Sequence, residues 1–294
     1  MTQLALPPAL EPWRPKFIAS VKPYVRVTTS LCVDAPPDVS KFGGYPYLPP
    51  GEAYPTLAGE PMVLLAQINW AEVPPLPDYP TSGILQIFIP REHEFYGADF
   101  DAEPGERLDW TLRWYPEPGQ TQMSLSFLPD DAKLHGAPAQ TPLEFPIDAL
   151  TVGGRGLCYR LVFEAASGPV LSEDGRFKPL ISTPDTAWDF WRRAAGGSDN
   201  AGQQLIDAYD ALHAPIGTKI GGYAGFTQND PRPIPDQVSE LEGKGAGNSW
   251  ELLLQMDSGP GIMWGDVGVG NFFIRRNDLL QQDFSRVWYN WDCC

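Results

Sequence analysis

The chain has 294 residues, enough for one large domain or about two ordinary ones. Its 32 prolines and 29 glycines exceed the usual shares of roughly 5% and 7%, which excludes a fold built mainly from long helices. Lys and Arg number 21 against 37 Asp and Glu, a net charge of −16. A chain this acidic would repel phosphate groups and anionic lipids, so we expect it to bind neither nucleic acid nor a membrane.

The sequence carries few signs of targeting, disulfides or metals. The N-terminal segment has no basic start followed by a long apolar run, and no stretch reaches the roughly 18 apolar residues of a membrane span. The cysteines, none of them in a CxxC pair, are Cys32, Cys158, Cys293 and Cys294, and the histidines, without metal-ligand spacing, are His93, His135 and His213. We therefore expect a cytoplasmic protein with reduced thiols, no metal and no cofactor.

Apolar runs and alternating patterns predict a series of strands. The predicted strands span 21–33, 62–68, 83–89, 108–115, 123–128 and 157–164. Residues 41–59 are rich in Gly and Pro but also in aromatic side chains, so they predict an ordered loop or a short strand. Residues 219–274 predict further short strands and turns. The pattern of 91–156 is otherwise weak and does not define a register.

Helical periodicity is clearest in residues 185–213. Leu205, Tyr209 and Leu212 fall on one helical face, and Asp185 is placed to cap the start. Gly196 and its neighbouring glycine predict a break into two short helices, and a weaker helix is predicted over 275–284. The balance predicts a strand-rich α+β fold with antiparallel or mixed sheets, in which residues 1–294 form one compact domain.

An internal repeat is visible in three segments that recur in the same order. Residues 41–45 (KFGGY) recur at 219–223 (KIGGY), residues 64–69 (LLAQIN) recur at 252–257 (LLLQMD), and residues 83–89 are echoed by 268–274. We infer a duplication with halves at roughly 21–165 and 215–292, joined by the helical segment 185–213.

The same segments resemble a known family. KFGGYPYLP, PMVLLAQINWAEVP and GILQIFI, followed by LLLQMDSG, IMWGDVGVGNFFI and DFSRVWYNWDC, closely resemble the YwqG-like family, a bacterial domain family of unknown function. The resemblance runs from about Lys41 to Cys293 and is weakest between Arg91 and Pro179. It implies a cytoplasmic, strand-rich protein of one body, and it implies no reaction. Members of the family have been proposed as immunity or interaction proteins of toxin systems.

Two pairs of polar residues occupy equivalent places in the repeats. Lys41 and Lys219 would bind a carboxylate or phosphate if they faced one cleft, or would be turn residues with buried stems. Gln67 and Gln255 interrupt apolar runs, where an amide needs a hydrogen bond. They would hold a neighbouring loop or contact a ligand.

The C-terminal region supplies the other candidates. Asp266 lies in a glycine-rich turn before a buried strand, where it would be a turn-forming cap or a site group; the glycines fit no phosphate-binding motif. The aromatic candidates for a binding patch, or for the edge of a core, are Trp264, Trp288, Tyr289 and Trp291.

Two functions from different classes remain open. No catalytic triad or nucleophile elbow is visible, so we assign no catalytic residue and favour a non-catalytic protein-binding module for a basic partner, for example an immunity or interaction protein. The alternative is a small-molecule-binding protein or enzyme with a cleft between the two halves. The sequence does not define an oligomeric state.

Overall fold

The computed structural model describes residues 4–106, 109–120, 141–144, 157–213, 216–233 and 249–293. Ten strands of these ranges form one antiparallel sheet that curls into a half-barrel, and two more form a small hairpin. The strands are β1 (Lys22–Cys32), β2 (Lys41–Gly43), β3 (Thr56–Leu57), β4 (Glu60–Pro61), β5 (Val63–Asn69), β6 (Ile84–Ile89), β7 (Thr111–Tyr115), β8 (Cys158–Gly168), β9 (Lys219–Gly221), β10 (Trp250–Asp257), β11 (Val269–Arg275) and β12 (Trp288–Asp292).

Short helices accompany the sheet. They are α1 (Arg14–Ala19), α2 (Ala187–Ala194), α3 (Asp199–His213) and α4 (Arg276–Leu280), with 3-10 turns at Pro8–Trp13 and Phe284–Arg286 and a π-helical turn at Lys178–Ser182. The strand-rich α+β class expected from the sequence is confirmed, and the sheet pairings described here are antiparallel.

The strand order is symmetric about the central pair β1–β8. The order is β12-β11-β10-β9-β1-β8-β2-β5-β6-β7. Each side of the centre has the same succession of strands. A three-residue strand that begins with lysine (β2 or β9) is followed by a long buried strand (β5 or β10), by its hairpin partner (β6 or β11) and by an outer strand (β7 or β12). The β5–β6 hairpin has a register shift between Leu64 and Ala66, and the β10–β11 hairpin has one between Leu252 and Leu254.

The main core lies against the curled sheet. The runs VLLAQIN of β5 and ILQIFI of β6 are apolar almost throughout, because side chains on both faces of these strands are buried. β1 differs, since it alternates between buried Val25 and Val27 and exposed neighbours. One contiguous cluster contains side chains from both hairpins, among them Leu65, Ile87 and Phe272. Apolar burial of this extent is the main stabilising contribution to the sheet.

A second core joins the helical segments. Phe17 of α1, Phe190 and Trp191 of α2, and Tyr209 of α3 are buried together against Phe177. The predicted break between two helices is confirmed at residues 195–198.

Two details of the helical prediction were wrong. Thr186, not Asp185, caps α2: its hydroxyl accepts the Asp189 N–H at 3.0 Å, while the Asp185 carboxylate pairs with Arg193. Leu212 is 50% exposed, because the buried face of α3 ends at Tyr209.

A buried ion network joins the segment between β8 and α2 to the segment between β9 and β10. The Asp174 carboxylate accepts hydrogen bonds from Arg176 Nη2 at 2.7 Å and Arg232 Nη2 at 2.9 Å, and Arg232 also pairs with Asp230. Burial acts to raise the pKa of Asp174, but the two guanidinium groups hold it well below its usual range. The charges compensate one another inside the fold, as buried ions must.

The predicted strands over 21–33, 62–68, 83–89 and 157–164 are confirmed as β1, β5, β6 and β8, with β8 extending to Gly168. β7 begins at Thr111, and the predicted strand over 123–128 lies outside the described residues. The predicted helix over 275–284 is wrong in length: α4 ends at Leu280 and a separate 3-10 turn begins at Phe284. Among the described residues, no helix has both the length and the apolarity to cross a membrane.

Candidate functional site

Lys41 and Gln67 lie opposite each other on β2 and β5 and are buried. The Gln67 side chain accepts the Tyr47 N–H at 2.7 Å and donates to the carbonyls of Pro37 and Val39 at 2.7 and 2.8 Å. The amide therefore holds the loops on either side of β2, as expected of a polar group in an apolar run.

The Lys41 ammonium is held in the same place. Its Nζ donates to the carbonyls of Pro36 at 2.9 Å and Pro37 at 3.1 Å. Burial disfavours its charged form and lowers the pKa of Lys41 to about 8.

Lys219 and Gln255 repeat this arrangement on β9 and β10. Gln255 accepts the Gly225 N–H at 2.7 Å and donates to the Gly217 carbonyl at 2.7 Å. Burial lowers the pKa of Lys219 to about 7, and the charges of Asp174 and Asp257 oppose that change. The two lysine–glutamine pairs are separated in the sheet by β1 and β8.

Three of the C-terminal aromatic candidates pack together. Trp264 and Tyr289 are buried, and the Tyr289 ring stacks on Phe272 with centroids 4.6 Å apart. Trp291 is half-buried, with its centroid 6.2 Å from that of Trp264. Trp288 points to the opposite face of β12 and packs 5.4 Å from Trp250, because successive strand residues alternate between faces.

Asp266 is exposed in the turn that follows Trp264. The turn is closed by the Gly268 N–H, which donates to the Trp264 carbonyl at 2.7 Å. Gly265 has φ +52°, and a Cβ at that position would meet Cys293 and Trp291. Asp266 therefore lies in a turn that packs beside Trp291.

A loop that the sequence patterns left undefined covers these aromatics. Residues 91–106 connect β6 to the segment before β7. His93 Nδ1 accepts the N–H groups of Phe95 and Gly97, and Tyr96 has φ +55°. The Trp291 Nε1–H donates to the Phe95 carbonyl at 3.0 Å. These bonds give the loop a defined shape on the C-terminal strand.

The loop presents acidic and aromatic side chains together. Phe95 and Phe100 are 41% and 51% exposed, their rings lie 5.5 Å apart, and Phe100 lies 6.0 Å from Trp291. Arg91 is the one basic residue of the loop besides His93. The exposed carboxylates of the loop are Glu92, Glu94, Asp99, Asp101, Glu103 and Glu106. We call loop 91–106, the exposed turn residues 265–267 and Trp291 the acidic-aromatic surface.

This surface contains Asp266 and Trp291 from the sequence candidates, supported by Trp264 and Tyr289. Phe95, Phe100 and the loop acids were missed, although six acids within sixteen residues around two phenylalanines are visible in the sequence. The segment has no periodicity, so its sequence does not indicate how it folds or which of its side chains are exposed.

Among the cavities lined by described residues, two lie away from this surface. A groove of about 310 Å³ is lined by residues of β1 together with Thr218, Asp257, Ser258 and Ile262. A small cavity of about 20 Å³ is lined by Lys219, His213, Tyr24 and Tyr223, room for about one water molecule. Within the described ranges, no group of three or more His, Cys, Asp or Glu side chains is arranged to hold a metal ion.

The fold and the surface define a class: a strand-rich α+β protein with a half-barrel sheet, a helical layer and an exposed acidic-aromatic loop. Residues 40–293 match DUF1963, a domain of unknown function, and the chain belongs to that family. No curated protein matches the chain. The family match covers the loop, both hairpins and the C-terminal strand.

Proposed function

We propose that the protein is a non-catalytic binding module whose acidic-aromatic surface takes a basic segment of a partner protein. The observation that carries this proposal is the placement of six exposed carboxylates around the exposed rings of Phe95 and Phe100. The Phe95 ring lies against Phe100 and the Phe100 ring against Trp291, so the three rings form a contiguous apolar patch, and such patches often mark interaction sites.

The chemistry of this surface favours a lysine- or arginine-rich partner. Carboxylates around the apolar patch attract cations over long range and set the encounter rate, in line with the net charge of −16. Aromatic rings then bind the cationic groups and their apolar stems at close range. Aromatic residues at the centre of a patch with a polar rim also match the anatomy of binding hot spots.

The same proposal includes that the protein is YwqG-like and that it is located in the cytoplasm. Its finer form is an immunity or interaction protein whose partner is a basic toxin domain. We also propose that the chain arose by an internal duplication. The symmetric strand order and the matching register shifts of the two hairpins support this origin. If the chain is duplicated, β1 belongs to the first half but links the two halves, because it pairs with β8 on one side and with β9 of the second half on the other.

The test begins with affinity purification from the native host at low and high salt, with the captured protein identified and then purified. We expect one stoichiometric basic protein that is lost at high salt and whose affinity falls when the loop is neutralised. The neutralised variant carries Glu92→Gln, Glu94→Gln, Asp101→Asn and Glu103→Gln. The matched control removes as many exposed acids elsewhere, by Asp38→Asn, Glu60→Gln, Asp199→Asn and Asp207→Asn.

Equal loss of binding in both variants would mean that only net charge matters, and the surface would be excluded as the site. Retention of binding in the loop variant would overturn the proposal directly. A further variant, Phe95→Ser with Phe100→Ser, tests the apolar component at unchanged charge.

A second candidate function is a small-molecule-binding protein or enzyme. The observation that favours it is the 310 Å³ groove, since ligand sites begin at roughly this volume. Burial raises the pKa of Asp257 in its wall to about 6. Lys41, Gln67 and Gln255 do not line it. A thermal-shift screen of metabolites against the wild type and Asp257→Asn tests this candidate; a ligand that stabilises both equally would exclude the groove.

A further inference from the structure

We propose that Cys32 and Cys158 are a thiol pair that hydroperoxides oxidise to a reversible disulfide between the two central strands. Cys32 is the last residue of β1 and Cys158 is the first of β8, and they lie directly opposite each other in the register. Both are free thiols here.

The spacing of opposite residues permits the bond. Directly opposed residues of antiparallel strands have Cα atoms about 4.5–5.5 Å apart, inside the range of about 4.4–6.8 Å found for disulfides. Side chains of such a pair also point to the same face of the sheet. Burial raises the pKa of the Cys158 thiol, and the nearby Cys32 thiol adds to this effect. Bond formation therefore needs side-chain rotation and a slight local approach of the two strands, but no exchange of strand partners.

The register also predicts that the disulfide is easily reduced. The Val27 N–H donates toward β9, and the Leu161 N–H donates to the residue before β2. Because backbone groups alternate along a strand, those of Cys32 and Cys158 point at each other and form a hydrogen-bonded pair. Cβ atoms are farther apart in this class of pair than a relaxed disulfide prefers. A strained disulfide is more readily reduced, as a reversible modification requires.

The surroundings separate the roles of the two thiols. Cys32 is half-exposed and accessible to a peroxide, whereas Cys158 is buried. Burial raises the pKa of Cys158 to about 11, and the charge of Lys41 opposes this effect. The backbone of Ala35 also acts to lower the pKa of this thiol. Cys32 is thus the attacking thiol and Cys158 the resolving one.

The reaction balances with one hydroperoxide. The Cys32 thiolate attacks a peroxide oxygen: an S–O bond forms, the O–O bond breaks, and the leaving hydroxide is protonated to water. The sulfur of Cys158 then attacks the sulfenic sulfur: the S–S bond forms, the S–O bond breaks, and a second water leaves with the Cys158 proton. Two thiols are oxidised and one hydrogen peroxide is reduced to two waters.

The experiment uses the full chain with Cys293→Ser and Cys294→Ser, which removes the C-terminal thiols. The reduced protein is treated with one equivalent of hydrogen peroxide, quenched, digested without reductant and mapped by mass spectrometry. We expect that neither remaining thiol can be alkylated after oxidation, that one peptide links Cys32 to Cys158, and that dithiothreitol restores both thiols in full.

A Cys158→Ser variant provides the control. Without the resolving thiol, Cys32 should remain a sulfenic acid that dimedone labels, while the wild-type pair loses that label as the disulfide forms. The proposal is overturned if, in the protein that retains both cysteines, Cys32 is oxidised to sulfinic acid while Cys158 can still be alkylated after unfolding. Disulfides formed only between molecules would overturn it equally.

Discussion

Gln67 on β5 and Gln255 on β10 hold the two sides of the sheet with corresponding backbone contacts. Each accepts an N–H from the segment after the short lysine strand, and each donates to a carbonyl before it, Val39 in one case and Gly217 in the other. The carbonyl and N–H positions differ by the same 178 residues as the lysines Lys41 and Lys219. The amide is therefore a repeated structural device.

Replacing either glutamine should destabilise the protein. Gln67→Ala leaves several buried backbone groups unpaired and should lower the free energy of unfolding by about 2–4 kcal/mol, and Gln255→Ala by about 1–3 kcal/mol. Urea denaturation measures both, with the exposed Gln281→Ala as a control expected within about 0.5 kcal/mol of wild type. A neutral Gln255→Ala beside a costly Gln67→Ala would refute their equivalence.

Breaking the buried ion network should be costly. Asp174→Asn leaves Arg176 and Arg232 without the carboxylate that both contact, and we expect a loss of about 3–5 kcal/mol. The comparison is Glu164→Gln, which removes the partner of Arg26 in an exposed pair and should cost less than about 1 kcal/mol. Similar costs for the two variants, measured by chemical denaturation, would contradict the network's role.

Lys219 should make stability depend on pH above neutrality. Burial lowers the pKa of Lys219 from 10.5 to about 7 in the folded chain. Between these values the unfolded chain binds more protons than the folded one, so the free energy of unfolding rises with pH across that window. Lys219→Met should reduce this slope by up to about 1.4 kcal/mol per pH unit.

Melting curves at successive pH values measure the slope. Lys178→Met, a change on an exposed side chain, should leave it unchanged. Lys41 keeps its own contribution above its pKa of about 8, so some slope remains in the Lys219 variant. An unaltered slope in Lys219→Met would mean that this ammonium is solvated.

Gly270 leaves room for the Trp264 indole. A Cβ at this position would lie 2.4 Å from the indole ring, far inside contact distance. Gly270→Ala should therefore cost about 1–3 kcal/mol by overpacking and should shift the Trp264 fluorescence. Gly259→Ala serves as the control, since its Cβ meets nothing within 4 Å. A silent Gly270→Ala would show that Trp264 moves aside without cost.

The strands were the most predictable part of the molecule. β5 and β6 are buried on both faces, so their sequences are continuous apolar runs with single glutamines, and local composition is sufficient to locate them. The paired lysines and glutamines were also visible as repeats. Their structural contacts follow from the cost of burying an amide or ammonium without a partner.

The order of strands and the exposed surface were not predictable in the same way. The position of β1 between β8 and β9 depends on contacts between distant parts of the chain, which no local pattern records. The acidic-aromatic surface depends on Trp291 reaching the Phe95 carbonyl across the sequence. Asp185 failed as a cap because its pairing with Arg193 competes with capping, and the neighbouring Thr186 hydroxyl is better placed.

The central position of β1 has a consequence for the order of events during synthesis. β1 leaves the ribosome well before its partners in the register, such as Ile220 for Val25. β1 must therefore remain without its sheet neighbours until β8 and β9 have been synthesised. The pairing of β1 with these two strands is then a late step in the assembly of the sheet. Long-range pairing of this kind slows folding and leaves an unpaired edge in nascent chains, where chaperone binding would be concentrated.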